Sequence, residues 1–270
     1  MAYSLEGRTV LVTGGARGIG AGIVRAFAAA GARVMVADIG IQGVQDEQWT
    51  YQLASDEDLA KLPIDQDRIR ATHVDVTDPD SCSQAVATAV DAFGGIDVLV
   101  NNAGVVDSGP VENFSEAAWD RIFAVNCKGI FLMTQAALAH LKQSEQGCVI
   151  NTASIAGKQG HANMSAYCGS KFAAIGITQS MAQEFAADNI RVNALCPGIV
   201  GTAMWLDHLL PSNAVTEAQK NEEFETTMAK TIPLGRPQST EDMGEAVLYL
   251  ACAENVSGVA LNVSGGMQMN

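Results

Sequence analysis

Two polar side chains in the second half of the chain have the types and the spacing needed for proton transfer. Tyr167 and Lys171 are four residues apart in a segment with helical spacing of apolar residues, so their side chains share one face of the predicted helix. A free tyrosine has a pKa of about 10, and we expect the ammonium to lower it, because a nearby positive charge favours the phenolate. The pair predicts a phenol that acts as general acid and base.

Ser154 and Asn126 are candidate partners of this pair. Ser154 follows a predicted strand at the carboxyl edge of the sheet, where ligands collect in open α/β folds, and its hydroxyl can hold a substrate oxygen. Asn126 lies inside a long helical pattern, where a buried amide is unusual, so we expect a helix distortion or a bound water there. The predicted catalytic residues are Asn126, Ser154, Tyr167 and Lys171.

A glycine-rich turn near the amino terminus predicts a phosphate-binding site. It reads Thr13-Gly14-Gly15-Ala16-Arg17-Gly18-Ile19-Gly20 between a predicted strand and a predicted helix, where a side chain would block the approach of a pyrophosphate. Asp38 closes the next predicted strand, where a carboxylate accepts hydrogen bonds from ribose hydroxyls and repels a 2′-phosphate. Arg17 argues for the extra phosphate, but Ile39 and Gly40 follow Asp38 in place of a basic residue. We therefore predict NAD as the cofactor.

Short apolar runs that alternate with helical patterns are the elements that must position these residues. The predicted strands are 8–13, 33–38, 69–76, 96–101, 148–152, 191–196 and 260–263, and the predicted helices are 19–30, 81–93, 116–141, 166–187 and 241–251. This alternation is typical of strand-helix-strand units. We predict one α/β domain over residues 1–270, a single doubly wound parallel sheet (Rossmann) of about seven strands with helices on both faces.

Two stretches depart from the alternation. Residues 40–68 are polar and acidic and about ten residues longer than a compact crossover needs, so we interpret them as a solvated surface excursion, with a partner-binding role as the alternative. Residues 202–236 mix apolar anchors with a charged run before two prolines. They predict a helical lid over the site.

The composition argues against several classes of partner. The chain of 270 residues has 16 Lys plus Arg against 30 Asp plus Glu and a net charge of −14, which repels nucleic-acid phosphates and anionic lipids. No window approaches a membrane-spanning run of uninterrupted apolar residues. The six cysteines have no metal-ligand spacing. We expect no nucleic acid, membrane or metal partner, and a reducing cytoplasmic location.

Over essentially its whole length the chain resembles the short-chain dehydrogenase/reductase family. The motifs that carry the resemblance are the glycine turn, the segment Asn101-Asn102-Ala103-Gly104, the tetrad of Asn126, Ser154, Tyr167 and Lys171, the loop Pro197-Gly198-Ile199-Val200-Gly201-Thr202, and the pair Asp75-Val76. Within the family, the run 196–200, the pair Met204-Trp205 and the end Gly265-Gly266-Met267 look most like bacterial diol and polyol dehydrogenases, including acetoin reductase and sorbitol dehydrogenase.

The resemblance implies a role for each of these positions. Lys171 would bond the nicotinamide ribose, and Asn126 would hold a water that passes the proton outward. The implied cofactor-binding residues are Gly14, Arg17, Gly18, Ile19, Gly20, Asp38, Ile39, Asp75, Val76, Asn102, Ala103, Gly104, Tyr167, Lys171, Pro197, Gly198, Val200 and Thr202. The candidate substrate-binding residues, which flank the tetrad, are Ile155, Lys158, His161, Met204 and Trp205. A homotetramer is the assembly that the resemblance suggests.

The predicted function is an NAD-dependent interconversion of a secondary alcohol and its ketone by hydride transfer, with a diol or polyol favoured as the small-molecule substrate. A 3-oxoacyl or hydroxysteroid ketone reductase is the enzymatic alternative, because the same tetrad runs in either direction. A catalytically silent nucleotide-binding protein is the alternative from another class.

Overall fold

The computed structural model of the protein describes residues 3–41, 53–64, 67–208 and 216–270. The strands in these ranges are β1 (Thr9–Thr13), β2 (Arg33–Asp38), β3 (Ile69–His73), β4 (Val98–Asn101), β5 (Cys148–Thr152), β6 (Arg191–Pro197) and β7 (Ala260–Val263). They form one parallel sheet in the order β3-β2-β1-β4-β5-β6-β7. The order reverses between β1 and β4, where a doubly wound sheet opens a crevice at its carboxyl edge. The predicted fold is confirmed.

Successive side chains of the central strands point to opposite faces of the sheet, and the side chains on both faces are apolar and buried. Leu11 and Leu99 lie on one face, in a cluster with side chains from residues 79–93 and 129–141. Val12 and Val100 lie on the other face, in a cluster with the first and last helices. The alternation with a period of two residues therefore supplies both layers of the core.

The described ranges contain nine α-helices. They are α1 (Gly18–Ala29), α2 (Asp56–Ala60), α3 (Pro79–Phe93), α4 (Glu116–Phe123), α5 (Gly129–Leu141), α6 (Ser165–Glu184), α7 (Ala203–His208), α8 (Glu217–Thr231) and α9 (Thr240–Cys252). Side chains cap two of these helix starts, since the Asp78 side chain accepts from the amide of Asp80 and Ser239 forms a capping box with Asp242.

The predicted strand 69–76 ends three residues early, at His73. The reason is local hydrogen bonding beyond the strand, since Asp75 donates its amide to Ser81 Oγ at 2.9 Å and accepts at Oδ1 from the amide and hydroxyl of Thr77 at 2.8 Å. These bonds turn the chain toward α3 and leave Asp75 and Val76 at the carboxyl edge of the sheet.

The single helix predicted over 116–141 is interrupted by a π-helical segment, Ala124–Lys128, between α4 and α5. Asn126 lies inside this segment, so the expected distortion is confirmed. The continuous stretch Glu116–Leu141 has a mean hydropathy of 1.4 over its best window and is long enough and apolar enough to cross a membrane, although its apolar residues are interrupted by polar ones. Within the fold, 56% of that window is buried.

The two departing stretches are partly described. Residues 42–52 and 65–66 of the acidic stretch lie outside the described residues, and the rest contains α2. The interpretation as a solvated excursion is wrong for Ala54 and Leu62, which are buried in the cluster beneath β1 and β2. The stretch 202–236 contains α7 and α8, and residues 209–215 lie outside the described part.

Helices α1 and α9 approach each other through glycines. A Cβ added to Gly22 would collide with the Thr240 carbonyl oxygen and lie 2.7 Å from its carbon. A Cβ added to Gly244 would lie 2.7 Å from Ala26 Cβ and 2.9 Å from the Gly22 carbonyl oxygen. Because α1 begins at the glycine turn, this contact fixes the helix that forms one wall of the crevice.

We expect Gly22→Ala to lower the free energy of unfolding by about 1–3 kcal/mol, because the added methyl overpacks the α1–α9 contact. Urea unfolding followed by circular dichroism measures it. The matched control is Gly176→Ala in α6, where the added Cβ meets no heavy atom within 4 Å and the helix gains up to about 1 kcal/mol. A Gly22→Ala protein as stable as the unmodified chain would contradict the close-packing argument.

Candidate active site

The carboxyl ends of β1, β2, β4, β5 and β6 surround one cleft with a volume of about 480 Å³. It lies at the reversal of strand order, where the sequence placed it. The structure brings most of the predicted site residues to its lining: Gly14, Arg17, Gly18, Ile19, Gly20, Asp38, Ile39, Asp75, Val76, Asn102, Ala103, Gly104, Ser154, Ile155, His161, Tyr167, Lys171, Pro197, Gly198, Val200, Thr202, Met204 and Trp205. Two predicted residues, Asn126 and Lys158, are not in the lining.

The glycine turn leaves one end of the cleft open to the backbone. A Cβ on Gly14 would lie 2.9 Å from Ala103 Cα, and a Cβ on Gly20 would collide with the Gly14 carbonyl oxygen. Helix α1 then begins at Gly18 with no side-chain cap from Arg17. Backbone amides at a helix start, with no side chain over them, are the arrangement that binds phosphate groups.

Hydrogen bonds of Thr13 and Asn102 join the glycine turn to the end of β4, the strand next to β1 where the strand order reverses. Thr13 Oγ1 accepts from the amides of Asn102 and Ala103 at 3.0 and 3.1 Å. The Asn102 side-chain amide in turn donates to the carbonyls of Thr13 and Gly14 at 3.1 and 3.0 Å. These bonds hold the ends of β1 and β4 together, so the glycine turn is preformed.

The Asp38 carboxylate is buried at the end of β2, at the side of the cleft next to the glycine turn. Its Oδ2 accepts from the amide of Ala16, and its Oδ1 accepts from the amide of Gly40, both at 3.1 Å. The two bonds fix the plane of the carboxylate while each oxygen keeps a further acceptor position. This carboxylate fits the ribose hydroxyls of an adenosine and opposes a 2′-phosphate.

Tyr167, Ser154 and Lys171 meet at the middle of the cleft. Ser154 lines the cleft with Tyr167, follows β5, and caps the 3₁₀ turn Ile155–Gly157 by accepting from the amide of Ala156 at 3.1 Å. Lys171 Nζ donates to the carbonyl of Thr152 at 2.9 Å and lies 5.7 Å from the centre of the Tyr167 ring. The three side chains thus lie where the carboxyl end of β5 faces α6.

The expected lowering of the Tyr167 pKa is wrong for this structure. Burial, which penalises the charged phenolate, raises the pKa of Tyr167 to about 12, and the hydrogen bond with Ser154 acts in the opposite direction. Burial also lowers the pKa of Lys171 to about 8 because it penalises the ammonium. Helical spacing placed the two groups side by side, but the low polarity of their surroundings dominates the phenol.

Asn126 connects structural elements next to the site through the hydrogen bonds of its side chain. Its Oδ1 accepts from the amide of Val105 at 2.8 Å, and its Nδ2 donates to the Val105 carbonyl at 2.9 Å and to Ser170 Oγ at 3.0 Å. Ser170 Oγ donates to the carbonyl of Tyr167 at 2.7 Å. The side chain therefore joins the loop after β4 to the turn of α6 that carries Tyr167 and Lys171.

The loop after β6 closes the opposite side of the cleft. Gly198 donates its amide to the carbonyl of Val263 in β7, and Ile199 donates to Gln238 Oε1 at 2.9 Å. Gln238 is buried, and its backbone amide donates to the backbone carbonyl of Ile199. No sequence pattern indicates Gln238, because it is a loop residue 39 positions away from Ile199.

The substrate candidates divide into two groups. Ile155, His161, Met204 and Trp205 line the cleft, and Met204 packs in the cluster that contains Tyr167. The prediction for Lys158 is wrong, because its ammonium donates to the carbonyl of Ala260 in β7 at 2.7 Å and does not reach the lining.

Some lining residues were missed by the sequence analysis. Met164 lies three residues before Tyr167, a spacing that could have revealed it, whereas Met267 lies near the end of the chain without any signal. Leu53 and Ala54 come from the acidic stretch. They are an apolar pair among polar residues, and that contrast is the sequence feature that could have indicated a buried position.

Among the described residues no group of three His, Cys, Asp or Glu side chains is placed to hold a metal ion. The hydrogen-bonding groups around the cleft are backbone amides, hydroxyls, the Tyr167 phenol, the Lys171 ammonium, the Arg17 guanidinium, the His161 imidazole and the carboxylates of Asp38 and Asp75. This donor set suits a dinucleotide and an alcohol or carbonyl oxygen.

Comparisons with known proteins agree with this geometry. The family model described as short chain dehydrogenase matches residues 8–209. Galactitol 2-dehydrogenase of Agrobacterium fabrum is 36% identical over 98% of this chain and 99% of its own length. The 3-alpha-(or 20-beta)-hydroxysteroid dehydrogenase of Mycobacterium tuberculosis is 37% identical over 98% of this chain and 91% of its own.

A solved structure shares the whole architecture. The 3-ketoacyl-(acyl-carrier-protein) reductase from Brucella melitensis complexed with NADH has a TM-score of 0.83 and 28% identity, covering 98% of this chain and 100% of that chain. With the family model, the near full-length relatives and the site geometry in agreement, the chain belongs to the short-chain dehydrogenase family.

Proposed function

We propose that the protein is an NAD-dependent oxidoreductase that interconverts a secondary alcohol and its ketone. The observation that carries the proposal is the placement of Tyr167, Ser154 and Lys171 together in one cleft with the glycine turn and Asp38. A nucleotide site alone would serve any binding protein. The paired hydroxyls at its centre add a place where an alcohol or ketone oxygen is held and exchanges a proton.

The residues that would hold the nucleotide are divided along the cleft. The amides at the start of α1 face the phosphates, Asp38 faces the adenosine ribose, and the loop 197–202 faces the nicotinamide. NAD rather than NADP is supported by the fixed carboxylate of Asp38 and by the structural neighbour complexed with NADH. A nicotinamide bound there supplies the hydride acceptor or donor.

Tyr167 handles the proton. With a pKa of about 12 the phenol is protonated at neutral pH, so it is ready to donate to a ketone oxygen that Ser154 also bonds. In alcohol oxidation the phenolate takes the hydroxyl proton of the substrate instead. Lys171, with a pKa near 8, is mainly an ammonium at neutral pH, and its charge opposes part of the burial penalty when the phenolate forms.

The lining beyond Tyr167 supports an apolar body on the alcohol. Met164 and Met204 pack in the Tyr167 cluster, and Trp205 and Met267 continue the surface. The polar side chains of the lining that are close to these residues in the chain are Ser154, His161, Tyr167 and Thr202. A polyol would leave several hydroxyls without partners, which costs free energy.

Two substrate classes follow from these observations. The apolar lining favours an alicyclic or steroid-like secondary alcohol, in line with the similarity to the hydroxysteroid dehydrogenase. The diol or polyol class that the sequence favoured is the other candidate, supported by the similarity to galactitol 2-dehydrogenase, and His161 is its available recognition group.

We further propose a homotetramer acting in the cytoplasm, without nucleic-acid or membrane partners. Three large apolar side chains on neighbouring helices, Trp119, Phe131 and Phe172, are between two fifths and one half exposed, which supports contact with further copies. The six free cysteines support a reducing compartment.

Tyr167→Phe should lower kcat by a factor of about 10² to 10⁴, because the substrate loses its proton donor and acceptor while the ring still packs. Turnover is measured with a responsive alcohol, and the NADH dissociation constant by fluorescence titration, which should stay within about twofold. The matched control is Tyr249→Phe on the exposed face of α9, which should keep full turnover. Equal kcat for Tyr167→Phe and the control would remove Tyr167 from the mechanism.

Without added nucleotide, the Tyr167 phenol should stay protonated well above the range of an ordinary tyrosine. At pH 10 a free phenol is about half ionised, whereas a pKa of about 12 leaves Tyr167 almost wholly protonated. The ultraviolet difference between the unmodified chain and Tyr167→Phe at that pH measures it, with circular dichroism to show that both are folded. A difference equal to half a phenolate would contradict the burial argument.

A panel of alicyclic alcohols, hydroxysteroids, diols and hexitols, assayed with NAD and with NADP, separates the two substrate classes. We expect kcat/KM with NAD to be at least about tenfold higher for the apolar alcohols, since one buried apolar side chain contributes about 1.5–3 kcal/mol. Met204→Ser should remove most of this preference. Met269→Ser, at an exposed methionine, should not. A preference for hexitols would establish the polyol class instead.

A further inference from the structure

The acidic crossover between β2 and β3 reaches the cleft. Leu53 and Ala54, at the start of its described part, line the cleft together with Asp38, Ile39 and Asp75. This is the end opposite Met204 and Trp205, so the two residues stand at the adenosine side. A surface excursion of the kind that the composition indicates would not contribute to this lining.

The segment is anchored on the core. Ala54 and Leu62 are 8% and 5% exposed and join the apolar cluster of β1, β2 and α1, with Leu59 packed against it. Between them, Ser55 and Asp58 form a capping box at the start of α2: Asp58 Oδ2 accepts from the Ser55 amide at 3.0 Å. The position of Leu53 and Ala54 is thus fixed from both the core and the helix that follows.

The backbone of Ala54 lies directly on Gly40. A Cβ on Gly40 would collide with the carbonyl oxygen of Ala54 and lie 2.9 Å from its carbon and its nitrogen. Gly40 is also the residue whose amide donates to Asp38 Oδ1. Contact with Ala54 therefore holds the donor that orients the Asp38 carboxylate.

We propose that residues 53–62 form the outer wall of the adenosine-binding half of the cleft, and that the wall contributes to NAD affinity through Leu53 and to the choice against NADP through Gly40 and Asp38. The proposal rests on the proposed NAD-dependent function. Leu53 gives an apolar surface that a bound adenosine would cover. Ala54, seated on Gly40, keeps the carboxylate pointed at the position where a 2′-phosphate would be repelled.

Equilibrium binding tests the wall without any turnover. Leu53→Ser should weaken the binding of NADH and of ADP-ribose about tenfold, because a half-buried leucine is lost from the adenosine side. Gly40→Ala should displace Ala54 and bring the NADH and NADPH affinities closer together, with NADH weakened more. Titration calorimetry measures all three ligands on the full chain. Thermal unfolding shows that each variant is folded.

The matched control is Ile64→Ser, a change of an exposed residue in the same crossover outside the lining, which should bind all three ligands like the unmodified chain. If Leu53→Ser binds NADH and ADP-ribose as tightly as this control, the wall is overturned while the proposed function stands. If the unmodified chain itself prefers NADPH or binds neither nucleotide, the proposed function fails first. Should Gly40→Ala not fold, the result for Leu53→Ser decides.

Discussion

The active site depends on keeping an ammonium buried beside a phenol. Lys171 is 4% exposed and Tyr167 8% exposed, so both charged forms are disfavoured by their surroundings. The carbonyl of Thr152, at the end of β5, is the acceptor that makes burial of the ammonium tolerable. That carbonyl is free for this purpose because the strand ends there, which ties the chemistry to the edge of the sheet.

Buried polar side chains hold the surrounding elements in register. Asn101 in β4 donates to Asn151 Oδ1 in β5 at 2.9 Å and to Thr134 in α5 at 3.1 Å, and Asn151 donates to Thr178 in α6 at 2.9 Å. A one-residue shift of α5 or α6 would leave these amides unpaired at a cost of about 1–3 kcal/mol each. The network therefore specifies where α6 presents Tyr167 and Lys171, and Asn126 separately joins α6 to the loop after β4 through Ser170 and Val105.

Local sequence patterns predict most of the fold and the residues at the centre of the site. Alternating apolar runs located every strand, the glycine turn located the phosphate end, and a four-residue interval located Tyr167 and Lys171. Contacts between distant parts of the chain were not readable in this way. Lys158 meets a carbonyl 102 residues away, and Leu53 reaches the cleft only because its crossover folds back over Gly40.

The direction of the Tyr167 pKa shift could not be predicted from the sequence either, because it also depends on contacts between distant parts of the chain. Spacing shows that a charge is near, but the opposing burial comes from residues of many elements. The structure therefore revises the picture of a phenol made acidic by its neighbour into one of a phenol kept neutral by its surroundings. The cost of charge separation is then met during the reaction, by Ser154 and by the Lys171 ammonium.

As the pH rises, the destabilising effect of burying Lys171 decreases, whereas the destabilising effect of burying Tyr167 increases. The folded pKa of Lys171, about 8, is below its ordinary value of 10.5, so its burial destabilises the fold fully below pH 8 and no longer above 10.5. The folded pKa of Tyr167, about 12, is above its ordinary value of 10, so its burial costs nothing below pH 10 and destabilises the fold above it. At neutral pH the cost of Lys171 remains, about 3 kcal/mol from a shift of this size. A bound ligand that offers oxygen acceptors to the ammonium recovers part of this cost, so the same burial that weakens the fold strengthens ligand binding.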